Sequence, residues 1–185
     1  NPESCEKGAW HGLPVSTPYM TKDHLEMKRS KAQASNTTYV YDFPELFRIN
    51  VMSSWREHLA VCRSAECGHP SEAELGNTVV AVELVLDTST GKLQRVKRFP
   101  GENTVGMVAW RLTMRTLEFP KGRDIILIAN DITLGIGSFG PQEDALFNEA
   151  SKLARRLRLP RIYIAANSGA RIGLVAAGKN WLDLM

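Results

Sequence analysis

The fold is decided by residues 123–174, which read RDIILIAN (123–130), DITLGIGSFGP (131–141), an amphipathic run, and then PRIYIAANSGARIGL (160–174). Residues 125–129 form an apolar run that is too short for a helix and rich in β-branched side chains. Such a run predicts a central, parallel strand that is covered on both faces. The order of the whole stretch predicts a strand, helix, strand unit with a right-handed crossover.

The amphipathic run after Gly140 predicts a helix that packs on the sheet. Pro141 stands in the first turn, where its missing N–H costs nothing, and the carboxylates of Glu143 and Asp144 suit the positive end of the helix dipole. Apolar residues recur at helical spacing, which predicts one buried stripe: Leu146, Phe147, Ala150, Leu153, Ala154 and Leu157. Pro160 prevents the helix from continuing, and residues 162–166 are predicted to form the next strand.

Both predicted strands end in loops made of small residues. In open α/β sheets ligands bind outside the carboxyl ends of the strands, so these loops are the expected site. Backbone N–H groups can approach a ligand where bulky side chains are missing, which suits a phosphate or a developing oxyanion. The small residues are Gly135, Gly137 and Gly140 in the first loop, and Gly169, Ala170 and Gly173 in the second.

The first loop also matches the dinucleotide-binding pattern G-x-G-x-x-G. That fingerprint requires its first glycine at the end of the strand and an acidic residue at the end of the second strand. Here residues 131–134 separate the strand from Gly135, and Asn167 stands where the acidic residue would be. The match therefore does not indicate a nicotinamide or flavin site.

The segment before this unit begins with two predicted helices. Thr21 can cap a helix that continues to about residue 34, and the basic residues of this helix predict a solvated face rather than a phosphate patch. A short run at 37–41, rich in β-branched and aromatic residues, predicts a strand. Pro44 begins the second helix, whose approximate buried stripe is Leu46, Phe47, Val51, Trp55 and Leu59.

The middle of the chain predicts a loop and then antiparallel strands. Residues 61–77 are mostly polar residues and turn formers, typical of a surface loop with no expected function. Residues 79–86 and 92–98 predict a hairpin, and residues 105–116 predict a long strand with Trp110 in the core. Sequence pattern alone thus predicts a mixed α/β fold.

Composition sets the broad class. The 185 residues are 43% hydrophobic and 23% charged, which is typical of one soluble globular domain. The net charge of +3 comes without a basic stripe, so nucleic acid is not indicated as a partner. Apolar runs are too short to span a membrane, and the N-terminus has no signal-peptide core, so we expect an intracellular, cytoplasmic protein.

The cysteines and histidines are not spaced for a metal. Cys62, Cys67 and His69 would need a fourth ligand such as His58, and their spacing fits no common zinc pattern. Reduced cysteines in loops are the favoured interpretation. The sequence predicts no metal site.

Three stretches carry a more specific resemblance. GRDIILIANDIT (122–133), GSFGPQED (137–144) and PRIYIAANSGARIGL (160–174) resemble the carboxyltransferase domain of eukaryotic multidomain acetyl-CoA carboxylase. Upstream, TPY (17–19), TKD (21–23) and TTYVYDFPE (37–45) resemble the start of that domain in the same order. The resemblance covers about residues 10–174.

The resemblance implies a fold, an activity and partners. The fold is the crotonase-like ββα superhelix, with residues 1–17 as a linker or N-terminal extension and residues 18–185 as part of the N-terminal subdomain. The activity is transfer of a carboxyl group from carboxybiotin to acetyl-CoA, giving malonyl-CoA for fatty acid synthesis. The implied partners are the biotinyl carrier and biotin carboxylase domains, the latter using ATP and Mg or Mn, and a second copy that completes a homodimer.

The resemblance also implies site residues. In the family, the backbone around Gly169, Ala170 and Arg171 lies in the acyl-CoA half of the site, so Ala170 is the first candidate oxyanion donor, and Gly169, Ala170, Arg171 and Gly173 are candidate acyl-CoA contacts. Gly137, with Ser138, is a second candidate. Arg171 could bind a CoA phosphate or make a structural salt bridge with Asp131 or Glu143.

The sequence departs from the family after Leu174. The family continues there with an acidic helix beginning Ala-Glu-Glu, whereas this chain reads VAAGKNW (175–181) and stops at Met185. We therefore expect an incomplete subdomain that lacks the CoA-contacting arginines and is inactive in isolation. The alternatives are another crotonase-fold acyl-CoA enzyme, such as a hydratase, and a non-catalytic remnant.

Overall fold

The computed structural model describes residues 24–61 and 76–170. In this part of the chain the helices are α1 (His24–Ala34), α2 (Phe43–Val61) and α3 (Pro141–Leu157). The strands are β1 (Val79–Asp87), β2 (Lys92–Val96), β3 (Met107–Met114), β4 (Arg123–Asn130) and β5 (Arg161–Ile164). The fold is mixed α/β, as the sequence pattern predicts.

The strands form one sheet in the order β2-β1-β3-β4-β5. The β1–β2, β1–β3 and β3–β4 pairs are antiparallel, and only β4 and β5 are parallel. The predicted hairpin and long strand are confirmed as β1, β2 and β3. The prediction of a parallel central strand holds on one side of β4 only, because its other neighbour is the antiparallel β3.

Alternate side chains of β3 and β4 fill the two faces of the sheet, because successive residues of a strand point to opposite faces. One face packs on α1, α2 and the segment between them through Val108, Trp110, Leu112, Ile125, Leu127 and Ala129. The other face packs on α3 through Met107, Ala109, Ile126 and Ile128, which meet Leu146, Ala150 and Ala154. The core position of Trp110 is confirmed, and so is the predicted stripe of α3 except at Leu157, which is 43% exposed at the end of the helix.

The strand predicted at 37–41 is wrong. Residues Val40–Asp42 form a short 3-10 turn instead, and Tyr39 and Val40 are buried in the core. Their β-branched and aromatic side chains pack in the core, and the backbone does not pair as a strand. In so short a run, tertiary packing overrides the local preference for a strand. Phe43 follows at once as the first residue of α2.

The basic face predicted for α1 is not simply solvated. Lys31 donates from Nζ to the carbonyl of Thr133 at 2.8 Å, and Lys28 donates to the carbonyl of Gly101 at 2.7 Å. Arg29 forms a salt bridge with Asp42. The two lysines attach α1 to the loops that follow β2 and β4, and Arg29 attaches it to the segment before α2. The predicted cap at Thr21 lies outside the described residues, as does most of the predicted 61–77 loop.

None of the helices within 24–61 and 76–170 is both long enough and apolar enough to cross a membrane.

Candidate functional site

The first loop leaves β4 through a turn organised by Asp131. This buried carboxylate accepts hydrogen bonds at Oδ1 from the backbone N–H of Thr133 (2.9 Å) and from its hydroxyl (2.6 Å). Asn103 donates to the other oxygen at 2.8 Å. A short polar side chain that bonds its own backbone two residues on is a usual way to stabilise a turn. The start of the loop is therefore tied to the segment that precedes β3.

Three successive residues then adopt left-handed backbone angles. The φ values of Gly135, Ile136 and Gly137 are 55°, 57° and 65°. Glycine adopts this region without penalty, but the β-branched Ile136 does so only under strain. The N–H of Gly137 donates to the carbonyl of Leu134 at 3.0 Å, which closes the turn.

Gly137 lies directly against the second loop. A Cβ atom built on Gly137 would lie 2.2 Å from the carbonyl oxygen of Ala166, a separation that no real side chain can adopt. Both the φ angle and this contact require glycine here. Gly137 therefore allows the two loops to approach closely.

A backbone hydrogen bond joins the loops further along. The N–H of Phe139 donates to the carbonyl of Gly169 at 2.9 Å, and Phe139 pairs with Ala170 in an isolated parallel bridge. The described part of the chain contains no cis peptide bond. In a trans peptide the C=O and the next N–H point in opposite directions. Because the carbonyl of Gly169 faces Phe139, the N–H of Ala170 faces away from it.

Side chains connect the loops as well. The N–H of Gly169 donates to Oδ1 of Asn167 (3.1 Å), and Nδ2 of Asn167 donates to the hydroxyl of Tyr163 (3.0 Å). The hydroxyl donates to Oδ1 of Asn130 (2.6 Å), whose Nδ2 donates to the carbonyl of Gly137 (3.1 Å). Asn167, Tyr163 and Asn130, which we call the loop relay, thus run from the backbone of one glycine loop to that of the other.

The ring of Tyr163 is held by two phenylalanines. Its centroid lies 5.1 Å from that of Phe147 on α3 and 6.4 Å from that of Phe139, both in edge-to-face geometry. The guanidinium of Arg161 lies 5.0 Å from the centre of the Phe147 ring. Aromatic pairs at these distances and angles are favourable beyond their burial. The hydroxyl of Tyr163 is therefore placed by packing as well as by hydrogen bonds.

Glu143 links the helix start to β3. Its two carboxylate oxygens accept hydrogen bonds at 2.9 Å from the N–H of Gly140, the residue before α3, and from the N–H of Gly106, next to β3. The side chain is buried, with 2% of its surface exposed. The sequence predicts only a favourable interaction with the helix dipole here, whereas the carboxylate also joins the helix to the sheet.

The structure brings three of the predicted site residues together and does not describe two others. Gly137, Gly169 and Ala170 all lie where the two loops meet. Arg171 and Gly173 lie outside the described residues. Gly169 has a φ angle of 95°, and among the described residues no atom outside its immediate neighbours lies within 4 Å of a Cβ built on it. Among the described residues, none fills the space on this side of the second loop.

Sequence reasoning missed Asn130, Tyr163 and Asn167. A signal was present: an asparagine directly follows the alanine that ends each predicted strand, at 129–130 and at 166–167. A polar residue that closes a buried apolar run needs a hydrogen-bond partner, so two such asparagines at adjacent strand ends indicate a polar connection.

A separate concave region lies along the second half of α3. It is a cavity of about 290 Å³ with an apolar floor that includes Leu84, Leu93 and Leu153, and its basic residues are Lys92, Arg95, Arg111, Lys152 and Arg156. Arg111 forms a salt bridge with Asp124, and Lys152 with Glu149, which reduces the positive charge. The region begins at Glu149, roughly 12 Å along the helix from Pro141 at the usual rise per residue. It is not part of the loop site.

Within 24–61 and 76–170, no three histidine, cysteine, aspartate or glutamate side chains are arranged to hold a metal ion. Three residues of the zinc alternative, Cys62, Cys67 and His69, lie outside these ranges.

Comparison with known proteins places the chain in a family. The sequence model described as "Carboxyl transferase domain" matches residues 117–177, a range that includes both glycine loops. The chain is 50% identical over 169 residues to an acetyl-CoA carboxylase of Schizosaccharomyces pombe, covering 91% of this chain and 7% of that protein. It is 47% identical over 167 residues to an acetyl-CoA carboxylase of Saccharomyces cerevisiae (90% and 7%) and 47% identical over 187 residues to one of Dictyostelium discoideum (91% and 8%).

The chain belongs to the carboxyl transferase domain family and is similar to a short segment of eukaryotic acetyl-CoA carboxylases. It spans 7% to 8% of the length of these relatives. A solved structure, the beta subunit of Pseudomonas aeruginosa geranyl-CoA carboxylase, aligns with a TM-score of 0.37 and 13% identity over 91% of this chain and 30% of that one. That likeness is too distant to add weight, so the crotonase-like assignment follows from family membership.

Proposed function

We propose that this chain forms part of the acyl-CoA side of a carboxyltransferase that carries a carboxyl group from carboxybiotin to acetyl-CoA, giving malonyl-CoA. The observation that carries the proposal is the identity of 47% to 50% with acetyl-CoA carboxylases over nine-tenths of the chain. The family match at 117–177 supports it further, because that range contains the two loops that meet at the carboxyl ends of β4 and β5.

The geometry of the second loop suits an acyl thioester. Loss of a proton from the methyl group of acetyl-CoA moves negative charge onto the thioester oxygen, which needs a hydrogen-bond donor there. The N–H of Ala170 faces away from Phe139, and none of the described residues, apart from its immediate neighbours, lies within 4 Å of a Cβ built on Gly169. Removing one such donor costs on the order of 10² to 10³ in rate in other enzymes. We assign Ala170 as the donor, and Gly169, Arg171 and Gly173 as acyl-CoA contacts.

Gly137 contributes to the site in a different way from Ala170. Its N–H donates to Leu134, and its Cα packs against the carbonyl of Ala166. We propose that Gly137 brings the two loops together and so sets the position of Ala170. Carboxybiotin, when bound, supplies the carboxyl group that the acetyl carbon accepts.

A hydratase is the less favoured reading of the same fold. Acid and base chemistry of that kind requires carboxylates that face the substrate. The two buried carboxylates at the loops already accept hydrogen bonds: Glu143 from Gly106 and Gly140, and Asp131 from Asn103 and Thr133. These bonds hold both carboxylates in structural roles.

The proposed function includes partners that carry the rest of the reaction. We propose that a biotinyl carrier domain delivers carboxybiotin, that a biotin carboxylase domain uses ATP with Mg or Mn to form it, and that a second carboxyltransferase copy completes a homodimer. We also propose a cytoplasmic location. These proposals rest on the multidomain character of the family.

A chimera tests the function. The matching segment of the Saccharomyces cerevisiae relative is replaced by this chain, and two activities are measured: ATP-dependent carboxylation of biotin, and transfer of the carboxyl group to acetyl-CoA. We expect both to be retained. Loss of transfer in a chimera that still carboxylates biotin and keeps the size of the parent protein would refute the proposal. Isolated chain, mixed with carboxybiotin and acetyl-CoA, is expected to give no malonyl-CoA above the blank.

A further inference from the structure

We infer that the loop relay, Asn130, Tyr163 and Asn167, consists of positioning residues that set the spacing of the two glycine loops and thereby the direction of the Ala170 N–H. The kinetic test of this inference rests on the proposed function, whereas the test by amide exchange and chemical shift does not. The relay connects Gly169 on one loop with Gly137 on the other through hydrogen bonds of 2.6 to 3.1 Å.

The relay can run in one direction only, because both of its ends are backbone groups. The carbonyl of Gly137 can only accept, so Asn130 must present Nδ2 to it and Oδ1 to Tyr163. The N–H of Gly169 can only donate, so Asn167 must present Oδ1 to it and Nδ2 to Tyr163. The hydroxyl of Tyr163 is left to accept on one side and donate on the other. Each group therefore has one orientation that satisfies all of its neighbours.

The relay lies where backbone pairing is interrupted. The parallel ladder of β4 and β5 ends at the pair Ala129 and Ile164, and the next backbone hydrogen bond between the two described loops is that of Phe139 to Gly169. Between these points the chain turns through the left-handed segment 135–137. A hydrogen-bonded side-chain connection here compensates for the missing ladder, since ordered polar networks rigidify the groups that they join.

Substitution of Tyr163 separates the hydroxyl from the packing of the ring. Tyr163→Phe keeps the contacts with Phe139 and Phe147 and removes only the two hydrogen bonds of the hydroxyl. The matched control is Tyr41→Phe, which removes a hydroxyl that donates to Glu83 at 2.9 Å. Tyr41 packs against Trp110 on the opposite face of the sheet, away from the loops.

The first measurement is made on this chain. Amide hydrogen exchange and amide chemical shifts are recorded for Gly137, Gly169 and Ala170 in both variants. We expect Tyr163→Phe to speed exchange at Gly169 at least tenfold and to shift the Ala170 amide, while Tyr41→Phe leaves all three unchanged. Unchanged loop amides in a folded Tyr163→Phe chain would overturn the inference.

The second measurement uses the chimera described above and compares kcat with KM for acetyl-CoA. The proposed donor acts in the transition state. Because Tyr163→Phe should misplace this donor, it should lower kcat about tenfold or more and change KM little. Tyr41→Phe should leave both parameters unchanged. Equal effects of the two variants on kcat would show that Tyr163 has a general structural role and would overturn the inference. If the parent chimera has no transfer activity while the loop amides respond as expected, the proposed function fails and the relay stands.

A second variant covers the case in which Tyr163→Phe does not fold. Asn167 is exposed, and Asn167→Asp keeps an acceptor for the N–H of Gly169 but cannot donate to Tyr163. We expect the same direction of change at Ala170 as in Tyr163→Phe, with recovery in Asn167→Gln if the longer amide still reaches the hydroxyl. No change at Ala170 in Asn167→Asp would count against the relay.

Discussion

The hydroxyl of Tyr163 on β5 donates to Oδ1 of Asn130 on β4 at 2.6 Å, and this contact joins the ends of two strands that are 33 residues apart in sequence. Burial raises the pKa of the Tyr163 hydroxyl above its ordinary value, and the hydrogen bond from Asn167 opposes that effect. The hydroxyl therefore keeps its proton at neutral pH, which donation to Asn130 requires. An ionised tyrosine could not take this place in the relay.

Replacing Gly137 should cost more stability than replacing another glycine with the same backbone angle. Gly137→Ala meets both a φ of 65° and a Cβ position 2.2 Å from the carbonyl of Ala166. Gly91→Ala is the matched control, since its φ is 66° and its built Cβ has no neighbour within 4 Å among the described residues. We expect the free energy of unfolding to fall by about 1 to 3 kcal/mol more for Gly137→Ala. Urea midpoints measure the difference, and equal losses would show that the close approach to Ala166 is not maintained in solution.

Glu143→Gln should destabilise the junction between α3 and β3. A glutamine has one acceptor oxygen, so one of the two N–H groups, of Gly106 or Gly140, would face an amide donor instead. Hydrogen bonds to charged groups contribute roughly 1.5 to 3 kcal/mol, and a loss of that size is expected in urea unfolding. Asp144→Asn, an exposed change in the same helical turn, is the control. Similar losses of unfolding free energy in both variants would show that Glu143 acts only through the helix dipole.

Ala170→Val tests the proposed oxyanion donor in the chimera. The larger, β-branched side chain should crowd the thioester and stiffen the second loop, so that the thioester oxygen no longer meets the N–H of residue 170 and the catalytic efficiency toward acetyl-CoA falls more than tenfold. The urea midpoint should change little, because Ala170 is exposed. A large fall in the urea midpoint, with unchanged catalytic efficiency in the enzyme that remains folded, would contradict the assignment of Ala170 as the donor. It would indicate instead that the larger side chain overpacks the loop.

Asp124 should contribute to stability in a pH-dependent way. Burial alone would raise the pKa of Asp124, but hydrogen bonds from Thr113 and Arg111 and the charge of Arg111 outweigh it and lower the pKa below its usual value. A carboxyl whose pKa is lowered by folding stabilises the protein above its unfolded pKa of about 3.9, and this contribution is lost as the pH falls through the folded value. Asp124→Asn should lower stability at pH 7 and flatten the loss of stability below pH 4. If urea unfolding shows the same loss of stability below pH 4 in Asp124→Asn as in the original chain, Asp124 does not contribute to the pH dependence.

The strand, helix, strand unit could be predicted from sequence because its signals are local. The apolar run at 125–129, the start of the helix at Pro141 and the periodic stripe that includes Leu146 and Ala150 each depend on neighbours within a few turns. Hydrophobic period and capping chemistry act over that range. The glycine loops were located by the same means, because they follow the ends of those elements, and the resemblance to the family came from the same residues.

The run at 37–41 shows where local signals fail. Its side chains favour a strand, yet Val40 begins a 3-10 turn between two helices, and Val40 and the preceding Tyr39 are both buried in the core. A core position is available to an aromatic or branched side chain whatever its backbone conformation, so the packing of α1 and α2 on the sheet decided the outcome.

By itself, the sequence determined the strand, helix, strand unit, the antiparallel strands before it and the family that these residues resemble. Only the tertiary structure decided how the ends meet: that Gly137 approaches Ala166, that Glu143 reaches Gly106, and that Tyr163 stands between two asparagines. The physical reason is that hydrogen bonds and close contacts depend on positions to within a few tenths of an ångström, whereas the residues that make them are separated by up to 37 positions in the chain. Their relative placement is set by the sheet and its register, and no local pattern encodes it.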